Sequence, residues 1–511
     1  MINMLWHALG TFTMLLALAA AAAPVQPDDE PLTHQPWFEA RTAHFHLYSC
    51  GPTQEVARLA ARLEQFHDAY ALLAGAQAVA SPPIVVMAFP DLGSMRPFLP
   101  LYQGKPASFT AFYHSSSDQN LIVLFLSGAG PGALKNVFHE YTHLLLRHNQ
   151  RYWPIWLSEG MAEIYATFEV FNGSHARIGK PIENHLRLLE HTPLVPLKEL
   201  FAVTGNSPGY NERQHQGLFY SESWLLTHYL MLGGNPAHKA NFRQLTPLLR
   251  LGQSPEQAFT NALHTTLPAM ESELRRYLAR GKFEPLELAL STGLDTPHAF
   301  VTRGLTPMEV FYRLGDELLH VGRLEDAEPY FLQSSNLAPT SPLPCEGLGL
   351  LAARRGQPND SVRYLRQAMQ LGPVNFLAHY TYARERYLLT ANGSNLHPLD
   401  KETTAEIRAE LQKSLALMPD FGPAHYLLGF FDMVQGGDLA AAEKQINRAL
   451  QLEPENQSYL LTLAQVQLAR RDAAAARRTL EPLRLPYVER QIRAQAEEMI
   501  KALGQPNAQV H

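Results

Sequence analysis

The chain has 511 residues, more than one ordinary hydrophobic core accommodates, so its length predicts at least two domains. Hydrophobic residues make up 46% and charged residues 18%, a balance typical of globular proteins and not of disordered chains. The net charge is −6, so the composition does not indicate a nucleic-acid-binding protein. Cys50 and Cys345 are too few for a disulfide scaffold or a cysteine-rich zinc site, and we expect two unpaired thiols.

Residues 1–25 contain no charged side chain, and their apolar centre ends in a run of alanines. Pro24 and an acidic stretch follow. This pattern predicts a secretory signal peptide over residues 1–23, with an uncleaved membrane anchor as the alternative. In either case we expect a periplasmic or secreted protein, which contacts a membrane only if the segment is left uncleaved.

Residues 36–285 show both strand and helix patterns, which predicts an α+β domain. Apolar side chains at helical spacing over residues 54–73 predict an amphipathic helix. Short apolar runs bounded by turn residues predict strands at residues 45–48, 83–89, 108–113 and 121–125. The stretch from residue 282 to residue 305 mixes Gly, Pro and Thr, and within it we predict a linker over residues 286–305.

A His-Glu-x-x-His motif occupies residues 139–143, within a predicted helix. On a helix, His139 and His143 are about 40° apart around the axis and about 6 Å apart along it, so both imidazoles can bind one zinc ion. Glu140 projects about 100° away and can act as the base beside an activated water. Two histidines on a structural helix face, without a metal, are the alternative.

A second helix is predicted over residues 156–165, after the break at Pro154, and its two acidic residues are again four apart. A catalytic zinc ion takes three protein ligands and keeps one position open. We predict that Glu159 is the third ligand and that Glu163, one turn later, accepts a hydrogen bond from a ligand histidine. The two carboxylates can also exchange these roles.

The motif at residues 139–143, followed by Trp-Leu-Ser-Glu-Gly at residues 156–160, resembles the gluzincin metallopeptidases, in particular the peptidase MA-like group. In those enzymes the Glu of the second segment, here Glu159, is the third zinc ligand. The resemblance covers residues 37–283 and is specific only at the two zinc helices. It implies a zincin-like fold and Zn²⁺-dependent hydrolysis of a peptide or protein, but no particular substrate.

The chain departs from the group's Glu-Gly-x-Ala-Glu-Tyr pattern because Ile164 separates Glu163 from Tyr165. Gluzincins stabilise the oxyanion with a Tyr or His from a downstream helix. The resemblance assigns this role to Tyr220, with His215 as the second choice. A packed aromatic ring without a catalytic role is the alternative for Tyr220.

The C-terminal region, residues 306–503, contains a repeat. Leu-x-Pro recurs with steps of 34, 46 and 35 residues between prolines, and the surplus in the long step is predicted as a loop over residues 391–401. Large apolar and small residues recur at fixed distances before each proline. A period near 34 with two helices per unit predicts an all-α solenoid that resembles tetratricopeptide repeats, the alternative being an unrelated helical bundle.

Three functions agree with these patterns. The first is an exported zinc peptidase whose repeats bind a protein partner. The second is a repeat-based adaptor with an inactive hydrolase domain. The presence of Glu140 argues against it, because an inactive domain does not need the base. The third is a zinc hydrolase that acts on another bond, for example a cell-wall amide. The sequence favours the zinc peptidase, with a zincin-like α+β domain followed by a tetratricopeptide-repeat solenoid.

Overall fold

A computed structural model describes residues 31–74, 84–102, 104–106, 111–116, 118–128, 131–147, 153–172, 175–203, 213–251, 253–290, 301–390, 399–454, 456–485 and 488–503. The predicted signal peptide, residues 1–23, and most of the predicted loop at residues 391–401 lie outside these ranges. No helix in the described ranges combines the length and the apolar character needed to cross a bilayer. Cys50 is half-buried, Cys345 is buried, and both are free thiols as predicted.

The strands of the described residues are β1 (Phe38–Arg41), β2 (Phe45–Ser49), β3 (Ile84–Phe89), β4 (Leu101–Tyr102), β5 (Lys105–Pro106), β6 (Ala111–Ser115), β7 (Asn120–Phe125), β8 (Glu169–Phe171), β9 (His175–Ile178), β10 (Leu286–Ala289) and β11 (Val301–Gly304). Six of them form a mixed sheet in the order β11-β1-β2-β3-β7-β6. β3 pairs in parallel with β2 and β7, and the other pairs are antiparallel. All of β3 is buried because both faces of the sheet are covered, which accounts for its uninterrupted apolar sequence.

The helices of the N-terminal region are α1 (Thr53–Ala74), α2 (Leu92–Met95), α3 (Pro131–Arg147), α4 (Ile155–Ala166), α5 (Glu183–His191), α6 (Leu197–Ala202), α7 (Arg213–His228), α8 (Pro236–Asn241), α9 (Leu245–Arg250), α10 (Pro255–Leu263) and α11 (Leu267–Arg280). α1 is the helix that the apolar spacing over residues 54–73 predicts. Its apolar stripe is buried in one core with α3. There the ring of Phe66 stacks on that of Phe138, with centroids 4.4 Å apart. This contact fixes the helix that carries the His-Glu-x-x-His motif against α1.

The helices of the C-terminal region are α12 (Pro307–His320), α13 (Leu324–Leu337), α14 (Pro342–Arg354), α15 (Pro358–Leu371), α16 (Phe376–Thr390), α17 (Lys401–Leu417), α18 (Gly422–Val434), α19 (Leu439–Leu452), α20 (Gln457–Ala469), α21 (Ala473–Leu480) and α22 (Arg490–Leu503). They stack as successive helix pairs, α12 with α13 through α20 with α21, and α22 caps the last pair. A Cβ atom at Gly349 would overlap Leu365, which explains the small residue needed where α14 meets α15. The region is an all-α repeat solenoid.

The solenoid begins directly on the sheet. Tyr48 and Met87, on the sheet face opposite α1, share a hydrophobic core with Phe311 of α12 and Tyr330 of α13. The guanidinium group of Arg313 also lies over the Tyr48 ring, 4.5 Å from its centroid. Because the core is continuous, the first repeats cover apolar surface that the sheet would otherwise expose to water.

Two parts of the predicted linker over residues 286–305 are strands, residues 286–289 and 301–304, and residues 291–300 lie outside the described ranges. β10 pairs antiparallel with β9, and β11 pairs antiparallel with β1, where Phe38 lies opposite Gly304. Arg303 of β11 also donates to Oε2 of Glu39 at 3.0 Å. The linker prediction was wrong for these strands because four residues carry too little alternation to be recognised as a strand.

Candidate metal centre

A glycine determines how closely the helices around the candidate centre approach one another. α4 packs against both α3 and α7. A Cβ atom at residue 160 would overlap the Thr227 side chain and the backbone oxygen of Ser223, both on α7. Gly160 therefore allows α7 to lie directly beside the turn that carries Glu159, and this explains the glycine in the Trp-Leu-Ser-Glu-Gly segment.

The structure brings together the three predicted metal ligands. Nε2 of His139 lies 3.3 Å from Nε2 of His143, and Oε2 of Glu159 lies 3.2 Å from the first and 3.4 Å from the second. The two imidazole planes are 77° apart. A tetrahedral zinc ion with bonds of about 2.0–2.1 Å has ligand atoms about 3.3–3.4 Å apart. The donor set and the triangle it forms therefore fit zinc, with no rearrangement of the backbone.

The other nitrogen of each histidine is held by a neighbouring side chain. Nδ1 of His143 lies 2.9 Å from Oγ of Ser158, and Nδ1 of His139 lies 3.3 Å from Oε1 of Glu163. Such contacts fix the ring orientation, so that both Nε2 atoms are directed at the same point. The structure thus places Glu163 where the sequence predicts it, behind a ligand histidine and not in the ligand triangle.

Two ionised carboxylates lie at the centre. Burial opposes ionisation of Glu159, but hydrogen bonds with His139 and His143 lower its pKa to about 2. Burial also opposes ionisation of Glu163, yet His139 and His185 hold its pKa well below its usual value. Burial alone would lower the pKa of His139, and the two carboxylates instead raise it to about 10. The ionised carboxylates attract a cation to this point, whether a proton or a metal ion.

The predicted catalytic side chains lie on two of these helices. Glu140 is half-buried on α3, directly after His139. Tyr220 is half-buried on α7, and its ring centroid lies 6.1 Å from that of His139. The side chain of His215, the second choice for the oxyanion role, lies outside the described residues. Tyr220 is therefore beside the candidate centre, as the resemblance implies.

Sequence reasoning missed three polar residues that support the centre. Besides Ser158, these are His185 of α5, whose Nε2 lies 3.1 Å from Oε2 of Glu163, and Ser221 of α7, whose Oγ lies 3.0 Å from Nδ1 of His185. His185 is in no motif, and only the fold brings it to Glu163. Ser158 lies inside the Trp-Leu-Ser-Glu-Gly segment, next to Glu159. Of the three residues, it is therefore the one whose place near the centre the sequence could have indicated.

A second group of histidine and glutamate side chains lies where β2 meets α1. Nδ1 of His44 is 2.7 Å from Oε2 of Glu64, and the His44 backbone nitrogen donates to Oε1 of the same carboxylate at 2.9 Å. The rings of His44 and His67 stack, with centroids 3.7 Å apart and planes 28° apart. The hydrogen bond raises the pKa of His44, and the Glu64 pKa falls to about 2 despite burial.

No protein-family model matches the chain, and no curated protein matches it. Solved structures similar to it include YrrB, described as a TPR protein with an unusual peptide-binding site, at 14% identity over 37% of this chain and 91% of YrrB, with a TM-score of 0.31. TTC0263, a thermophilic TPR protein of Thermus thermophilus, is 19% identical over 38% of this chain and 99% of its own, with a TM-score of 0.29.

PilW, a type IV pilus biogenesis factor, is 16% identical over 52% of this chain and all of its own length, with a TM-score of 0.31. At these identities and TM-scores the likenesses indicate nothing about activity. The stacked helix pairs show the all-α repeat solenoid by themselves.

Proposed function

We propose that the chain is a zinc-dependent hydrolase of peptide bonds that acts outside the cytosol, in the periplasm or after secretion. The observation that supports it most strongly is the triangle of His139, His143 and Glu159, whose three edges match those of a zinc coordination shell. Polar side chains at the outer ring nitrogen of both histidines, as in metal sites, point the same way.

The three ligands would hold Zn²⁺, which when bound supplies Lewis-acid activation of a water molecule and of the scissile carbonyl. Glu140 takes the proton from the attacking water and delivers it to the leaving amine. Tyr220 donates a hydrogen bond to the oxyanion that develops on the carbonyl oxygen. Ser158 and Glu163 keep the two imidazoles in the orientation that ligation needs.

A peptide, in preference to another amide, is favoured by the resemblance of the segments at residues 139–143 and 156–160 to the gluzincin metallopeptidases.

The second candidate function is a protein-binding adaptor whose hydrolase domain is inactive or acts on another bond. The solenoid favours it, because stacked helix pairs present extended surfaces that suit protein segments. The two proposals are compatible where the repeats bind a protein partner and the α+β domain cleaves a peptide. They differ in whether Glu140 is needed.

The deciding experiment uses the full-length chain loaded with zinc, incubated with a generic peptide library, beside Glu140→Gln. Gln has nearly the same shape but cannot accept the proton, so kcat/KM should fall by at least about 10²-fold with zinc content unchanged. Glu183→Gln, at an exposed position on α5, is the matched control and should keep full activity. Equal turnover in Glu140→Gln would remove Glu140 as the base. A zinc-loaded wild type that cleaves no peptide would favour the adaptor.

A further inference from the structure

A pocket lies in the solenoid where the last helix pair, α20 and α21, packs on α19. Its volume is about 470 Å³, within the range of about 300–1,000 Å³ that is typical of ligand sites. Three leucines give it an apolar surface, Leu450, Leu460 and Leu463, and each keeps 5–6% of its area exposed. None of the ten described residues that line it is acidic. The pocket is therefore suited to an apolar side chain.

Hydrogen bonds fix the polar wall of this pocket. Oγ1 of Thr479 donates to Oε1 of Gln467 at 2.8 Å, and Nε2 of Gln467 donates to Oε1 of Glu443 at 3.1 Å. The Glu443 carboxylate also forms an ion pair with Arg470. Because these groups satisfy one another, an apolar side chain that fills the pocket deprives none of them of its partner.

Positive charge is concentrated at this end of the chain. Residues 470–493 contain seven arginines and three acidic residues, in a chain whose net charge is −6. Arg478 lines the pocket, Arg477 precedes it on α21, and both are exposed. Neither forms an ion pair in the described part of the chain, and Glu481, three residues after Arg478, pairs instead with Arg484 at 2.7 Å. Two unpaired guanidinium groups thus lie at an apolar pocket.

The arrangement indicates the class of partner. Successive residues on a helix are about 100° apart, so Arg477 and Arg478 point in different directions and do not clamp one small anion. An extended segment with several carboxylates can pair with both. An anionic membrane is disfavoured, because helices that bind its surface insert exposed apolar side chains. The described residues of α19–α22 include no large apolar side chain in an exposed position.

We propose that this pocket binds an acidic segment of another protein, with one apolar side chain in the pocket and carboxylates paired with Arg477 and Arg478. The described core of α19–α22 also contains residues of α16–α18 but none of the sheet, so the site shares no core residue with the candidate metal centre. The proposal rests on the protein-binding role of the solenoid and not on hydrolysis. It gives that role a place in the fold and a partner of stated charge.

Fluorescence anisotropy on the full-length chain tests the charges. The probes are labelled peptides Glu-Asp-Glu-X-Glu-Asp-Glu, in which X is Leu, Phe, Met or Ala. Arg478→Gln should raise the Kd of the Leu peptide about fivefold, because it removes one ion pair at the edge of the site. Arg363→Gln, which breaks the exposed pair with Asp360 on α15, is the matched control and should leave Kd unchanged. Kd values that stay at the wild-type level in both Arg477→Gln and Arg478→Gln would overturn the proposal.

Two alanines on α21 test the pocket itself. Ala475 lines it, whereas the neighbouring Ala474 is exposed and does not. Ala475→Leu should occupy the pocket and weaken binding of the Leu peptide about tenfold, while Ala474→Leu should leave it unchanged. The peptide with Ala at X should bind the wild type about fivefold more weakly than the peptide with Leu, because it buries less apolar surface. Equal Kd values for the two variants and for the two peptides would remove the pocket as the site.

Phenanthroline, an uncharged zinc chelator, separates this proposal from the proposed hydrolysis. It should leave Kd unchanged, since the pocket contains none of the predicted metal ligands. Binding that disappears with the metal would place the peptide at the metal centre and overturn the proposal, as would no binding of any peptide up to about 1 mM. Phosphatidylglycerol vesicles that bind the chain and displace the Leu peptide would overturn it in favour of a membrane. Absence of hydrolysis in the wild type would defeat the proposed function, and the Kd values would still decide the pocket.

Discussion

Two groups of side chains in this molecule each contain two histidines and one glutamate, in different arrangements. In the first, His139, His143 and Glu159, the imidazole planes are 77° apart and three ligand atoms form a triangle with edges of 3.2–3.4 Å. In the second, His44, His67 and Glu64, the rings stack 28° from parallel, and one histidine already uses both carboxylate oxygens.

The difference shows that donor types alone do not make a metal site. Ring lone pairs lie in the imidazole plane, so stacked rings direct them side by side and not at a common point. Perpendicular rings on one helix, four residues apart, direct them at the same point. The second group instead satisfies its charges internally, as an ion pair between His44 and Glu64. We therefore expect the first group to bind metal and the second to stabilise the fold.

The largest expected effect is on metal content. His143→Ala should abolish binding of the single zinc ion, because two remaining ligands hold zinc poorly. His44→Ala should leave the zinc content at the wild-type level. Elemental analysis after dialysis against zinc-free buffer measures both. Zinc loss in His44→Ala with retention in His143→Ala would reverse the assignment of the two groups.

The next effect concerns the tyrosines beside each group. Tyr220 lies next to His139, and Tyr141 lies next to His67 with ring centroids 6.4 Å apart. Tyr220→Phe should lower kcat about 10²-fold with little change in KM, because it removes one donor to the oxyanion. Tyr141→Phe, its matched control, should stay within about twofold of the wild type. Steady-state kinetics on one peptide that show equal kcat for both variants would leave Tyr220 as a packed aromatic.

A smaller effect is expected behind the ligand histidines. Glu163→Gln should weaken zinc binding about 10-fold or more, since the carboxylate orients His139. His185→Gln, one contact further from the ligands, should weaken it less. Competition with a chromophoric chelator gives both affinities, and Glu64→Gln is the control because its carboxylate serves the second group. An affinity unchanged in Glu163→Gln would show that His139 needs no such support.

The smallest effect is on stability and depends on pH. The Glu64 pKa falls from 4.5 to about 2 in the folded chain, so its contribution is present above pH 4.5 and is lost as pH falls towards 2. The raised pKa of His44 gives a contribution that is lost as pH rises through that value. Glu64→Gln should reduce the free energy of unfolding at pH 7 by about 2 kcal/mol. Urea unfolding at pH 7 and pH 3 should show the smaller loss at pH 3, and equal losses would contradict the ion pair.

Local spacing predicts much of the candidate site, because any helix over residues 139–143 brings its two histidines together. Glu159 followed from the zinc coordination rule and the resemblance. His185 did not follow from either, since only the packing of α5 against α7 brings it to Glu163. Likewise, Asp118 meets His320 across 202 residues of chain, and no periodic pattern reports a contact of that kind.

The fold divides in the same way. The solenoid repeats a local pattern, so a 34-residue period predicts its helix pairs. The sheet depends on distant partners, and its end strand β11 lies in residues that the sequence predicted as a linker. Contacts within one supersecondary unit leave a trace in the sequence, whereas pairing between distant strands leaves little.

The pairing of β1 with β11 also has a consequence for biosynthesis. Glu39 and Arg303, which face each other across this pair, are 264 residues apart. At about 5–20 residues per second, β1 leaves the ribosome about 10–50 s before its partner. During that interval its outer edge offers an unpaired row of backbone groups to any neighbouring nascent chain. Translation arrested before residue 301 would therefore yield chains prone to associate through this edge.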